Sequence, residues 1–215
     1  MRVAIYCRFS VESSIKNQTL DSLEHQKEEG IKFCNKNGYE YKIFEDVDSR
    51  DVSFLDRKNK KPIVYDVFYK ESNTPKPIII FCHGYKGYKD WGAWNLVAKK
   101  FLEEGFFFIK FNFSHNGGTI EDPVDFNDLE AFANNNFSKE LDDLDAVIDL
   151  ISLNTNFSKE LDSTNISLVA HSRGAGIILI KASEDSRVKS VITWGGVSDF
   201  KSRFLIGSDH FNNWK

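Results

Sequence analysis

Residues 166–176 read Ile-Ser-Leu-Val-Ala-His-Ser-Arg-Gly-Ala-Gly, an apolar run that breaks at a serine and continues into four more apolar residues, 177–180. This pattern predicts a strand, a sharp turn and a helix. Small side chains two positions before and after the serine, Ala170 and Gly174, are what such a crowded turn requires. The turn would expose the hydroxyl of Ser172 and would place the backbone N–H of Arg173 at a helix start, where a developing oxyanion is stabilised. The stretch therefore predicts a nucleophilic serine, although the short pattern also occurs by chance.

The composition is that of a globular protein. The chain has 215 residues, 41% hydrophobic and 28% charged, so it can bury a substantial core as one domain or one domain with a smaller piece. It holds no apolar run of the length that a membrane span needs, about 20 residues, and Arg8 interrupts its apolar start, so we expect a cytoplasmic protein without a signal peptide. Cys7, Cys34 and Cys82 are widely spaced in apolar surroundings, which favours buried thiols over disulfides or a metal site. We expect no metal and no cofactor.

The first 58 residues predict a small unit of their own. Residues 3–7 and 41–47 are typical of buried strands, and residues 21–37, closed by Gly38, are typical of a helix. These three elements form one βαβ unit. The polar and charged residues 48–61 predict a linker, so we expect the domain boundary near residue 58.

Four segments of this unit follow a recognisable pattern: Tyr6-Cys7-Arg8-Phe9-Ser10, Ser22-Leu23-Glu24-His25-Gln26, Asn37-Gly38-Tyr39 and Ile43-Phe44-Glu45-Asp46. They resemble the opening of the catalytic domain of serine recombinases, the resolvases and invertases. The resemblance implies that Ser10 is a nucleophile for DNA phosphate, that Arg8 and Arg57 bind phosphate, and that Asp46 is an acidic residue at the end of the second strand. Nothing after residue 58 resembles that family. Residues 1–58 hold ten Lys and Arg against eleven Asp and Glu, so they carry no basic surplus for DNA, and a βαβ unit that only packs is the simpler interpretation.

From residue 63 onward, apolar strand patterns alternate with helical ones. The predicted strands are 63–69, 77–82, 106–113, 165–170 and 188–194, and the predicted helices are 91–104, about 141–151 and 173–183, with a loop from 114 to about 136. This order predicts an α/β fold, a mostly parallel sheet flanked by helices, with Ser172 at the carboxyl end of a strand where such sheets bind ligands. The heptapeptide Asn-Phe-Ser-Lys-Glu-Leu-Asp occurs at 136–142 and again at 156–162, and predicts two helix starts.

Four segments of this second part carry a further resemblance: Phe81-Cys82-His83-Gly84-Tyr85-Lys86-Gly87, Phe113-Ser114-His115-Asn116-Gly117, Val169-Ala170-His171-Ser172-Arg173-Gly174 and Trp194-Gly195-Gly196-Val197. Residues 62–215 resemble an α/β-hydrolase of the dienelactone-hydrolase-like or acyl-peptidase-like kind. The resemblance implies that Ser172 is the nucleophile and that the backbone N–H groups of Tyr85 and Arg173 form the oxyanion hole. It also implies a small-molecule acyl substrate.

The acid and the base of this site are harder to identify. In this fold the nucleophile is followed along the chain by an acid and then by a histidine. Asp199 is a candidate acid, and His210 fits the order but follows no further strand, so we do not expect it to align with Ser172. The resemblance implies that His83 braces its loop and that His171 points toward the sheet, whereas His115 either shapes the pocket or is solvated.

Three functions stay open. The first is a serine hydrolase in which residues 59–215 form an α/β-hydrolase domain that lacks the last strands of the fold, so that activity is low. The second is a recombinase that acts on DNA through Ser10, and the third is a non-catalytic binding or relic protein. No membrane partner is expected, and DNA is a partner only under the second interpretation. The outer edge of strand 188–194 predicts self-association.

Overall fold

The chain divides into two compact units, residues 1–51 and 52–215, which are described separately. The computed structural model describes residues 2–8, 19–46, 53–70, 72, 74–153, 157, 159–197 and 199. The sequence predicts a boundary near residue 58, but the units divide after residue 51. The difference arises because residues 53–57 form a strand of the second unit.

The first unit is the predicted βαβ unit. It consists of β1 (Arg2–Arg8), α1 (Thr19–Lys36) and β2 (Glu40–Asp46), and the two strands are parallel with Ile5 opposite Ile43. Helix α1 ends where predicted, since Gly38 has a φ of 65° and Tyr39 donates its N–H back to the carbonyl of Cys34 at 2.9 Å. Ile5 and the buried thiol of Cys34 centre a small apolar core.

The second unit contains a mixed six-stranded sheet in the order β3-β4-β6-β5-β7-β8. The strands are β3 (Ser53–Arg57), β4 (Lys60–Phe68), β5 (Lys76–Cys82), β6 (Phe107–Phe111), β7 (Leu161–His171) and β8 (Val188–Trp194). Strands β6, β5, β7 and β8 are mutually parallel, whereas β4 is antiparallel to both of its neighbours. The prediction of an α/β fold with helices flanking a sheet is confirmed.

The predicted linker 48–61 is wrong from residue 53 onward. Residues 53–68 form a β-hairpin whose turn contains Asn59 at a φ of 61°, a conformation that asparagine tolerates better than most residues. Half-buried residues alternate with exposed ones along β3 because it is an edge strand of the described sheet, so its sequence lacks the continuous apolar run of a buried strand.

Four helices complete the described part of this unit. They are α2 (Trp94–Glu103), α3 (Leu129–Ala133), α4 (Phe137–Leu153) and α5 (Arg173–Glu184). Strand β5 is apolar from residue 77 to its end because helices cover both faces of the sheet: Ile78 and Ile80 pack with α4 and α5, and Ile79 and Phe81 pack with α2. The fully buried Cys82 ends β5, as expected for an inert thiol.

The repeated heptapeptide folds in two ways. Its first copy begins α4, with the side chain of Asn136 accepting the N–H of Lys139 at 2.9 Å. Its second copy is wrongly predicted as a helix start, since residues 157, 159 and 160 lie in a turn and Leu161 begins β7. The reason is tertiary, because Glu160 is drawn into a buried ion pair with Lys76 at 2.7 Å.

Candidate active site

Ser172 occupies a sharp turn between the end of β7 and the start of α5. Its φ of 54° and ψ of −118° lie in a region that non-glycine residues rarely adopt. Two backbone hydrogen bonds hold it there: the N–H of Ser172 donates to the carbonyl of Trp194 at 2.9 Å, and the N–H of Val197 donates to the carbonyl of Ser172 at 3.3 Å. The predicted order of strand, turn and helix is therefore present, and the segment after β8 supports it.

The small residues around the turn are sterically required. A Cβ atom on Gly174 would collide with the carbonyl oxygen of His83 and would lie 2.9 Å from that of Cys82. A Cβ atom on Gly84 would lie 3.0 Å from the Cβ of Ser172. The loop 83–93, between β5 and α2, thus runs directly beside the serine, and the peptide that joins Gly84 to Tyr85 adjoins it.

His83 braces this loop. Its Nε2 accepts the backbone N–H of Phe113 at 3.1 Å, so the ring proton resides on Nδ1, which donates to the carbonyl of Gly84 at 2.8 Å. The side chain is only 3% exposed, and burial lowers the pKa of its imidazole to about 4. His83 is a neutral structural residue with both ring nitrogens engaged, as the resemblance implies.

Arg173 links the serine turn to α4 and to the loop 83–93. Its Nε donates to Oε2 of the buried Glu140 at 2.9 Å, and its guanidinium lies 4.5 Å from the ring centre of Phe137 and 5.8 Å from that of Tyr85. Burial raises the pKa of the Glu140 carboxyl, and the charge of Arg173 opposes that rise. The backbone N–H of Arg173 lies in the first turn of α5, where amides have no partner within the helix. The two residues implied as oxyanion donors therefore pack against each other.

Two other histidines lie near this edge of the sheet. The half-buried ring of His171 lies 5.5 Å from that of Trp94 and adjoins Gly84, so it packs against the start of α2. His115 Nδ1 is 2.8 Å from the hydroxyl of Ser114, and burial, together with the cations Lys139, Lys61 and Arg57, lowers its pKa. His115 lines a cavity of about 850 Å³.

The acid and the base of a triad are not assembled by the described residues. Asp199 is exposed and lies beyond β8. His210 lies outside the described residues, as do all residues from 200 to 215.

Comparison with solved structures identifies the architecture. The chain matches the α/β hydrolase GrgF from Penicillium sp. with a TM-score of 0.56 and 17% identity, over 70% of this chain and 47% of that one. It matches a dienelactone hydrolase from Anabaena variabilis with a TM-score of 0.55 and 17% identity, over 69% and 63% of the two chains. A carboxylesterase from Lactobacillus plantarum matches with a TM-score of 0.54 and 14% identity, over 78% and 62%. The fold is that of the α/β-hydrolases.

At these identities the likeness concerns the α/β-hydrolase fold alone. The chain spans less than two thirds of the length of each of these three proteins. No protein-family model matches the sequence, and no curated protein does either.

Few of the residues implied by the recombinase resemblance are described. Arg8 ends β1, but its side chain, the whole of Ser10 and the side chain of Asp46 lie outside the described residues. Arg57 belongs to the other unit, and its side chain is only 10% exposed. Its guanidinium donates to Asp143 at 2.7 Å, to Asp142 at 3.3 Å and to the carbonyl of Lys61 at 2.8 Å. Arg57 therefore anchors the β3–β4 hairpin to α4.

The sequence analysis does not predict two sets of ion pairs. One is the pair of Glu140 with Arg173, and the other is a buried cluster of Asp66, Lys89, Asp90 and Lys110. A signal for the cluster exists, since Asp66 and Lys110 each interrupt a strand that is otherwise mainly apolar. The sequence does not show that Asp66 and Lys110 are partners, because they lie on separate strands far apart along the chain.

Two further features of the described part of the chain bear on ligands and membranes. Within it, no three His, Cys, Asp or Glu side chains are grouped so that they could hold a metal ion. None of its helices is long and apolar enough to span a membrane.

Proposed function

We propose that the chain is a serine hydrolase that acts on a carboxylic ester or related acyl substrate, with Ser172 as the nucleophile. The observation that carries this proposal is the backbone of Ser172, a serine held at positive φ between a parallel strand and a helix. Strain of this kind persists where neighbouring structure enforces it, and it clusters at functional sites. The serine also lies at the carboxyl edge of the sheet, where open α/β sheets bind ligands.

The reaction would proceed by acyl transfer. The Oγ of Ser172 attacks the carbonyl carbon and passes its proton to solvent water, and the negative charge that develops on the carbonyl oxygen is stabilised by the backbone N–H groups of Tyr85 and Arg173. Collapse of the intermediate breaks the ester C–O bond, and the leaving alkoxide takes a proton from water to become the alcohol. A water molecule then attacks the acyl-enzyme, which releases the carboxylic acid and restores the hydroxyl of Ser172. Two contacts support this assignment: the side chain of Arg173 packs against the ring of Tyr85, and Gly84, which precedes Tyr85, adjoins Ser172.

Asp199 is the candidate acid. No base is assigned, because the ring of His83 is bonded to the backbone of Phe113 and the ring of His171 packs against Trp94. We therefore expect slow hydrolysis. An oxyanion hole and substrate binding without a complete triad give a residual acceleration of about 10³–10⁴ over water.

A fluorophosphonate probe tests the proposal. The probe should form one adduct, located on Ser172 by mass spectrometry, because a phosphonate oxygen uses the same oxyanion donors. Ser172→Ala should abolish labelling, and Ser10→Ala, the matched control, should label like the wild type. An adduct on Ser10, or undiminished labelling of Ser172→Ala, would show that the assignment is wrong.

A further inference from the structure

Four charged side chains form a buried quartet beside the loop 83–93: Asp66, Lys89, Asp90 and Lys110. Asp66 on β4 and Lys110 on β6 are directly opposite each other in the antiparallel register. Lys89 and Asp90 belong to the loop itself. All four residues are at most 5% exposed, so none of them is a solvated surface charge.

Each lysine of the quartet contacts both aspartates. Lys89 Nζ lies 2.9 and 2.8 Å from the two carboxylate oxygens of Asp66 and 2.6 Å from Oδ2 of Asp90. Lys110 Nζ lies 2.9 Å from Oδ2 of Asp66 and also contacts Oδ1 of Asp90 and Oδ1 of Asn95. The two positive and two negative charges balance. The loop is consequently tied to β4, to β6 and to the first turn of α2.

A contribution to the free energy of unfolding does not by itself explain why four charged side chains are buried here. The desolvation of buried ions offsets most of their attraction, and apolar replacements of similar volume are often as stable or more so. What ion pairs offer over apolar contacts is a defined geometry. Neighbouring amides act on the same loop: the side chain of Asn112 accepts the N–H of Lys89 at 2.6 Å, and that of Asn116 donates to the carbonyl of Gly87 at 3.3 Å.

We propose that the buried quartet is the positioning device of the oxyanion hole. By fixing Lys89 and Asp90 against the sheet, it holds the loop 83–93 so that the N–H of Tyr85 points at the substrate oxygen beside Ser172. Its catalytic consequence rests on the proposed function. Sites of this kind need their donors held within about 0.5 Å, and a misplacement of about 1 Å can cost 10²-fold in rate.

The test uses a charge-neutral double variant. Lys89→Met alone leaves two buried aspartates with one lysine, whereas Asp66→Asn with Lys89→Met leaves Asp90 paired with Lys110. Lys76→Met with Glu160→Gln is the matched control, because that ion pair, at 2.7 Å, lies at the opposite end of β5 from the loop. The substrate is p-nitrophenyl acetate.

We expect the Asp66→Asn, Lys89→Met variant to recover the melting temperature that Lys89→Met loses. Its kcat should nevertheless stay about 10–10²-fold below the wild type, with a small change in KM, since a misplaced donor acts on the transition state. The control should hydrolyse like the wild type. A kcat of the double variant equal to that of the wild type would overturn the proposal.

A second measurement does not depend on hydrolysis. Amide hydrogen exchange of residues 84–91 should become at least about tenfold faster in the double variant, while exchange in β7 stays unchanged. Unchanged loop exchange would also overturn the proposal. If Ser172→Ala hydrolyses like the wild type, the proposed function fails, but the exchange measurement still decides whether the quartet holds the loop.

Discussion

At the scale of the residue, hydrogen bonds and close packing hold Ser172 in a strained backbone conformation. Its φ of 54° costs of order 1–3 kcal/mol, and hydrogen bonds to the backbone of Trp194 and Val197 oppose relaxation. Gly174 packs against the carbonyls that end β5, so the turn, β5 and β8 fix one another. The hydroxyl is thus presented by a backbone that hydrogen bonds and close packing fix on both sides.

His83 makes the folded state sensitive to acid. Its pKa is about 4 in the folded chain and near 6.5 when unfolded, so the unfolded chain binds more protons between these values. The stability that neutral His83 contributes is complete above pH 6.5 and is lost as the pH falls toward 4, a change of about 3 kcal/mol. Urea unfolding at pH 7 and pH 4.5 measures the loss.

His83→Gln is the control for this prediction, since glutamine keeps a donor and an acceptor without titrating. Glu140 and Asp143, whose pKa values are raised by burial, act in the opposite direction as the pH falls. The comparison with His83→Gln cancels their contribution. An equal pH dependence in the two proteins would show that His83 is not the group responsible.

The sequence predicts the serine turn well because its demands are local. Ala170 and Gly174 mark the turn within five positions of sequence, although the groups that Gly174 must avoid, the carbonyls of Cys82 and His83, come from another segment. The partnership of Arg173 with Glu140 is not predictable in the same way, because these residues are far apart in sequence and meet only when α4 packs beside α5. The buried quartet is missed for the same reason.

At the scale of the element, tertiary partners decide what local pattern leaves open. The first copy of the heptapeptide begins α4 at Phe137, whereas Leu161 of the second copy begins β7 and Glu160 before it pairs with Lys76. Residues 53–61 have the composition of a linker, yet residues 53–57 form β3, which pairs with β4, and residues 60 and 61 begin β4 itself. Long apolar segments such as β5 are predicted correctly, because burial on both faces leaves few alternatives.

Arg57 joins the β3–β4 hairpin to α4 through Asp143, and its loss should destabilise the fold. Arg57→Met should destabilise the protein by about 3–5 kcal/mol, because it leaves the carboxylate of Asp143 buried without its guanidinium partner. Arg57→Met with Asp143→Asn should recover most of that loss. Urea unfolding measures both effects.

The matched control is Arg2→Met, which breaks the exposed pair of Arg2 and Glu40, at 2.9 Å, and should change stability little. Equal effects of Arg57→Met and Arg2→Met would contradict an anchoring role for Arg57.

At the scale of the whole molecule, charge argues against a DNA partner. The chain has a net charge of −4, and Arg57, one of the arginines implied to bind phosphate, is engaged by Asp143 and Asp142. We expect no shift of duplex DNA in a gel at physiological salt and micromolar protein. A sub-micromolar affinity that falls steeply with added salt would contradict this expectation.

The outer edge of strand β8 predicts self-association. Among the described residues, β8 pairs with β7 and no strand lies on its other side, and Ile192 on β8 is 42% exposed. Unpaired N–H and C=O groups along an apolar edge favour pairing with another chain, and a lysine there opposes it. We therefore propose self-association through β8, seen by sedimentation velocity as a rising mean mass with concentration. Ile192→Lys should abolish the rise, while Leu153→Lys, at the more exposed end of α4, should leave it intact. A constant monomer mass for the unmodified chain, or equal behaviour of the two variants, would rule out the β8 edge as the contact.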